Sequence, residues 1–169
     1  MKILPIICLL FFQLSSAQML EQPVEKRGFW TTIWGESPEN GFKFLPFATH
    51  FQKSENPFIH GAFYTAINYK SFEVSVFNNS YNDFSMSFFY LRKIKITKKF
   101  SIDYGGGFLY GYKGRLQKVD AIPLNNTFLY SGNLNPTYGI ALEYRLSKKI
   151  AISAMTNPAV IIYGLKYYW

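Results

Sequence analysis

The sequence predicts an all-β chain: an eight-stranded antiparallel transmembrane β-barrel with a short N-terminal amphipathic segment. Three observations predict it. Apolar and polar side chains alternate with period two from residue 42 onward. Aromatic residues make up 20% of the chain and charged residues 17%, yet no stretch after residue 17 approaches the run of about 20 apolar residues that a membrane helix needs. The chain also finishes on spaced aromatics, Tyr167 and Trp169, behind Gly164. A soluble β-sandwich is the alternative. A soluble barrel would put apolar groups inward, where inward Glu73, Asp103, Glu143 and Arg145 would be costly to bury.

Residues 1–17 read as a secretory signal peptide. Lys2 precedes an apolar run from Ile3 to Phe12, and Leu14-Ser15-Ser16-Ala17 forms a small-residue cleavage site. A retained anchor is the alternative, but the run is too short to span a bilayer. Cleavage would remove Cys8, the only cysteine, and lower the net charge from +8 to +7. No disulfide or thiol chemistry is then expected. An exported chain with this patterning is expected in a Gram-negative outer membrane, as a monomer.

Residues 18–41 form a segment before the barrel. Val24, Phe29, Trp30, Ile33 and Trp34 fit one side of a short interfacial helix, or aromatics of a leader packed on the barrel base.

Residues 42–169 form the barrel. Strands are expected near 42–51, 58–68, 71–79, 84–94, 99–112, 136–146, 149–157 and 159–169. Phe72, Val74 and Val76 share one parity with lipid, as do Tyr138, Ile140, Leu142 and Tyr144. The opposite parity carries small or charged side chains suited to a polar interior, with an ion pair to Arg145 expected for the inward acids. An even count returns both ends to the periplasm, and closure leaves no edge unpaired in lipid. Loops 52–57, 80–83, 113–135 and the turn near 157–158 then face outward. Gly105-Gly106-Gly107 marks close packing or a bend, since no Lys-Ser/Thr follows it to make a phosphate loop. Lys93, Lys95, Lys98 and Lys99 read as one basic turn and Lys148-Lys149 as another, facing anionic headgroups or simply solvent, with no nucleic-acid partner expected.

No metal or cofactor is expected, because His50 and His60 are the only histidines and neither has a partner at ligand spacing. Candidate chemistry gathers at the outer rim. His50 ends the first strand and Asn78-Asn79-Ser80-Tyr81 ends the third. An eight-stranded barrel is narrow enough for them to share one site. A histidine there can act as general base for a serine or a substrate hydroxyl.

Three segments, Leu45-Pro46-Phe47-Ala48-Thr49-His50, Phe77-Asn78-Asn79-Ser80-Tyr81-Asn82 and Met155-Thr156-Asn157-Pro158, resemble the lipid A palmitoyltransferase (PagP) family. The resemblance implies an outer-membrane barrel that moves an acyl chain from a phospholipid to lipid A. Under it, His50, Asn79 and Ser80 stand at the catalytic positions. Pro46 and Pro158 stand where prolines open gaps between strands for lipid access. Phe89 and Leu91 stand at the floor of the acyl pocket. Three positions depart from the family. Asn79 replaces an aspartate, with Asp83 as a possible substitute. Pro46 lies one residue nearer to His50, which can turn the histidine to the other face. Phe88-Phe89-Tyr90-Leu91 brings bulk that implies a short pocket or none. The alternative function is a non-catalytic barrel with a structural role, or one whose loop 113–135 binds lipopolysaccharide or a partner through Lys113, Arg115, Lys118, Phe128 and Tyr130. A lipid A deacylase lacks its expected His-x-Ser pair, and a pore has little room.

Overall fold

A computed structural model describes residues 34–51 and 61–169. Residues 1–17, read above as a signal peptide, most of the N-terminal segment and His60 lie outside them. The described chain closes into one antiparallel barrel in the order β1-β2-β3-β4-β5-β6-β7-β8. Its strands are β1 (Gly41–His50), β2 (Gly61–Tyr69), β3 (Phe72–Asn78), β4 (Phe84–Lys95), β5 (Phe100–Tyr110), β6 (Leu134–Arg145), β7 (Ile150–Thr156) and β8 (Val160–Tyr168). All eight lie where the alternation put them. The register from Gly41↔Tyr168 to His50↔Val160 closes the ring.

Alternation sorts the side chains as expected. Phe72, Val74, Val76, Phe88, Tyr90, Tyr138, Ile140 and Leu142 point out and are exposed. Glu73, Ser75, Ser87, Asp103, Glu143 and Ser153 point in and are buried. A wall that is oily outside and, in its lower half, polar inside is compatible with a hydrocarbon surround. The glycines of β5 let β4 press close. A Cβ on Gly107 would stand 1.8 Å from the Phe88 carbonyl oxygen, and one on Gly105 2.0 Å from that of Tyr90.

The interior has two halves. The half nearest Gly41 holds three lysines and three acids. Lys43 lies 2.8 Å from Glu73, Lys93 lies 2.6 Å from Glu143, and Lys166 lies 2.8 Å from Glu143 and 3.4 Å from Asp103. Tyr64 and Tyr168 donate their hydroxyls to Glu73 and Glu143. Charge balances, so each buried ion keeps an opposite partner. Two expectations need correcting here. Arg145 does not pair with the inward acids; it sits where β6 leaves the barrel and binds Glu39 instead. Lys93 does not belong to a solvated turn: it shares the inward parity of Phe89 and Leu91 and is buried. The other half, toward His50, is apolar, built from Leu45, Ala48, Ala62, Tyr64, Ala66 and Ile162.

The described part of the N-terminal segment, residues 34–40, is a strap across the base. Glu36 exchanges two 2.8 Å backbone hydrogen bonds with Lys93, taking the side of β4 that β3 is too short to reach. Arg92 donates to the Trp34 and Gly35 carbonyls, Glu39 binds Arg145, and the Asn40 side chain accepts from the Lys70 amide.

Candidate functional site

Backbone geometry first decides which way His50 faces. In β1, Gly41, Lys43 and Leu45 are buried, then Ala48; Phe42, Phe44, Phe47 and Thr49 are exposed. The parity therefore switches between Leu45 and Ala48. The switch coincides with a bulge, in which three steps from Phe44 to Phe47 match two steps from Leu165 to Tyr163 on β8. Pro46 occupies the bulge. It has no N–H for the ladder, so the bulge costs no donor there. Regular alternation would have aimed His50 at the outer face of the barrel; the bulge returns it to the interior.

Ser80 is placed by the turn between β3 and β4. Asn79, buried, donates to Ser85 Oγ at 3.0 Å and to the Gly111 carbonyl at 3.3 Å. Its Oδ1 accepts the Tyr81 and Asp83 amides at 2.9 and 3.1 Å. Two donors and two lone pairs are all that an amide has. Asn79 thus shapes the turn that carries Ser80. Asp83 is bound to Arg115 at 2.7 Å and to Lys113 at 3.4 Å, and Arg115 also lies over the Tyr81 ring.

His50 Nε2 and Ser80 Oγ stand 2.6 Å apart, 30 residues distant in sequence. In the tautomer with a bare Nε2, the serine hydroxyl donates to it, the arrangement from which a histidine base activates an oxygen nucleophile.

Two apolar lobes meet at this pair. One runs down the barrel axis as a cavity of about 70 Å³ walled by Ala62, Tyr64, Phe77, Phe89, Met155 and Ile162. The other, also about 70 Å³, runs sideways beneath the β5–β6 loop, against Leu116, Val119, Ile122, Tyr130, Pro136 and Pro158. Each exceeds the space one water needs several-fold. Phe89 closes the axial lobe; Leu91 is buried one step below it and does not line it. Tyr112 lines both lobes, and burial, with Tyr81 beside it, raises its phenol above the ordinary tyrosine range, so it stays a neutral hydroxyl.

The sideways lobe reaches the wall. β6 pairs with β5 along its whole length, from Leu134↔Tyr110, but its pairing with β7 starts only at Ile140↔Thr156. Residues 134–139 of β6 lack a β7 partner in the ladder, and Pro136 and Pro158 both line the lobe here. Sequence reasoning found Pro158 and missed Pro136, although a proline inside a strand marks a lost ladder donor. It also missed Leu116 and read Tyr130 as a loop residue for an outside partner; both are buried by two single-turn 3₁₀ helices, Arg115–Lys118 and Phe128–Tyr130. These fold the long loop back over the mouth. No family model, curated protein or solved structure significantly matches the chain.

Proposed function

We propose that this protein is an outer-membrane acyltransferase that moves a fatty acyl chain from a phospholipid to lipid A. One observation carries the reading: the His50–Ser80 pair sits where two apolar lobes join, inside a wall whose outer face is apolar. An ester of a fatty acid needs an activated oxygen beside a place for its chain. Two lobes suit a reaction with two lipid partners. Lipid A as acceptor comes from the resemblance to the palmitoyltransferases.

In this reading His50 takes the Ser80 proton while Oγ attacks the acyl carbonyl. The proton then goes to the departing lysophospholipid alkoxide, leaving an acyl-serine. The acceptor hydroxyl next gives its proton to His50 and attacks the acyl-serine, and His50 passes that proton to the departing Ser80 Oγ, restoring both groups. The open β6–β7 interval supplies a lateral path for a lipid. Mass spectra of lipid A from a host expressing the protein test the reading. A gain of one acyl mass is expected, and its absence from a folded, inserted barrel would overturn it.

A second reading, a non-catalytic barrel that binds lipopolysaccharide or a partner, is favoured by the side chains of Asn79 and Asp83. Both are committed to the turn and its loop, so neither supplies the carboxylate that the palmitoyltransferases use.

A further inference from the structure

The charge of the described chain is segregated by position. The interior balances three lysines against three acids. At the outer end, Asp83 already holds Lys113 and Arg115. At the base, the strap acids Glu36 and Glu39 are engaged by Lys95 and Arg145. Beyond them, all three base turns carry exposed lysines: Lys70 between β2 and β3, Lys98 and Lys99 between β4 and β5, and Lys148 and Lys149 between β6 and β7. Among the described residues, positive charge therefore exceeds negative charge around this end of the barrel.

These lysines do not form a purely polar surface. Tyr69, Ile96, Leu146 and Trp169 are exposed among them, and Lys70 Nζ lies 5.6 Å from the Tyr69 ring centroid. Aromatic and aliphatic groups at the limit of an apolar band, with ammonium groups just beyond, match the depth at which lipid headgroups begin. The three turns also alternate around a closed ring, so what meets them all from the sides must surround the barrel. We propose that this ring is a docking surface for anionic phospholipid headgroups in the leaflet at the barrel base. It rests on the membrane-spanning part of the function proposed above. Each lysine adds attraction to an anionic leaflet that salt weakens.

Tryptophan quenching by brominated lipids tests the proposal. In the full chain with Trp30→Phe and Trp34→Phe, Trp169 is the remaining tryptophan. The protein is inserted into phosphatidylcholine vesicles carrying equal small fractions of brominated phosphatidylglycerol or brominated phosphatidylcholine. At low salt the anionic quencher is expected to be about twofold or more the stronger, and the ratio to fall toward one in about 0.5 M salt. In the variant that adds Lys70→Gln, Lys98→Gln, Lys99→Gln, Lys148→Gln and Lys149→Gln, the ratio is expected near one. Equal quenching of the inserted parent, or an unchanged ratio in the five-lysine variant, would overturn the proposal and leave the ring to an acidic soluble protein, with the acyltransferase reading intact. Failure to insert into any vesicle would overturn both.

Discussion

Leu45 and Ala48, three residues apart on one strand, both face the interior of the barrel. That spacing is impossible in a regular strand and is the signature of the bulge at Pro46. It also gives His50 its inward aim. Deleting Pro46 removes the extra residue and leaves Phe47 outward and Ala48 and His50 inward in strict alternation, so lipid A acylation is expected to persist in a barrel that still runs with the heat-dependent mobility of a folded one on gels. Deleting Thr49 keeps the bulge but moves His50 to an outward place, and acylation is then expected to fall to background. Full activity in the Thr49 deletion would show that strand parity does not orient His50.

His50→Ala and Ser80→Ala are each expected to lower acyl transfer by about 10³-fold or more, and the double variant by little beyond either one, because groups that act as a unit lose their effect together. Lipid A mass spectra and the acylated Ser80 peptide from the parent check this. Independent, multiplying losses would argue against one dyad.

Asn79→Asp separates the two roles available to that position. If an acid beside the histidine is what this chain lacks, the substitution raises activity. The hydrogen bonds point the other way. A carboxylate has no N–H for Ser85 Oγ or the Gly111 carbonyl and would bring negative charge against that carbonyl oxygen. A stability loss of about 1–3 kcal/mol is expected, read as a lower temperature for the gel-mobility shift, with activity reduced as Ser80 drifts.

Lys43→Met leaves Glu73 buried without its 2.8 Å partner. Breaking one side of a buried pair costs about 3–5 kcal/mol, so a clear drop in that same transition temperature is expected. Adding Glu73→Gln should recover most of it, since the amide oxygen still accepts from Tyr64 and no lone charge remains. No recovery would mean that shape, not charge balance, governs the base of the barrel.

The barrel was legible because one rule, alternate faces for outside and lumen, repeats along the strands from Phe42 to Tyr167 and breaks only at the Pro46 bulge among the described residues. What the rule does not contain is cross-strand register. Lys93 has inward parity, yet its neighbours Lys95, Lys98 and Lys99 make it look like part of a solvated turn; only the register that brings it beside Asp103 and Glu143 explains its burial. The turn-shaping bonds of Asn79 are hidden for a related reason. One of its partners, Gly111, lies 32 residues away at the end of β5, and no local pattern announces such a bond. His50 and Ser80 were legible as neighbours because topology alone puts their strand ends on one rim. The sideways lobe was not, because Leu116 and Tyr130 sit in single turns too short to show a period.

The strap and the ionic cluster make the interior a cul-de-sac among the described residues. A lipid that enters past Pro136 and Pro158 meets a closed base and must leave on the side of His50 and Ser80. After the first half of the proposed reaction, the spent lysophospholipid stands between the acyl-serine and the next arrival. Release of that by-product, more than bond-making, would then set the pace of turnover, and free lysophospholipid would compete with acceptor for the doorway.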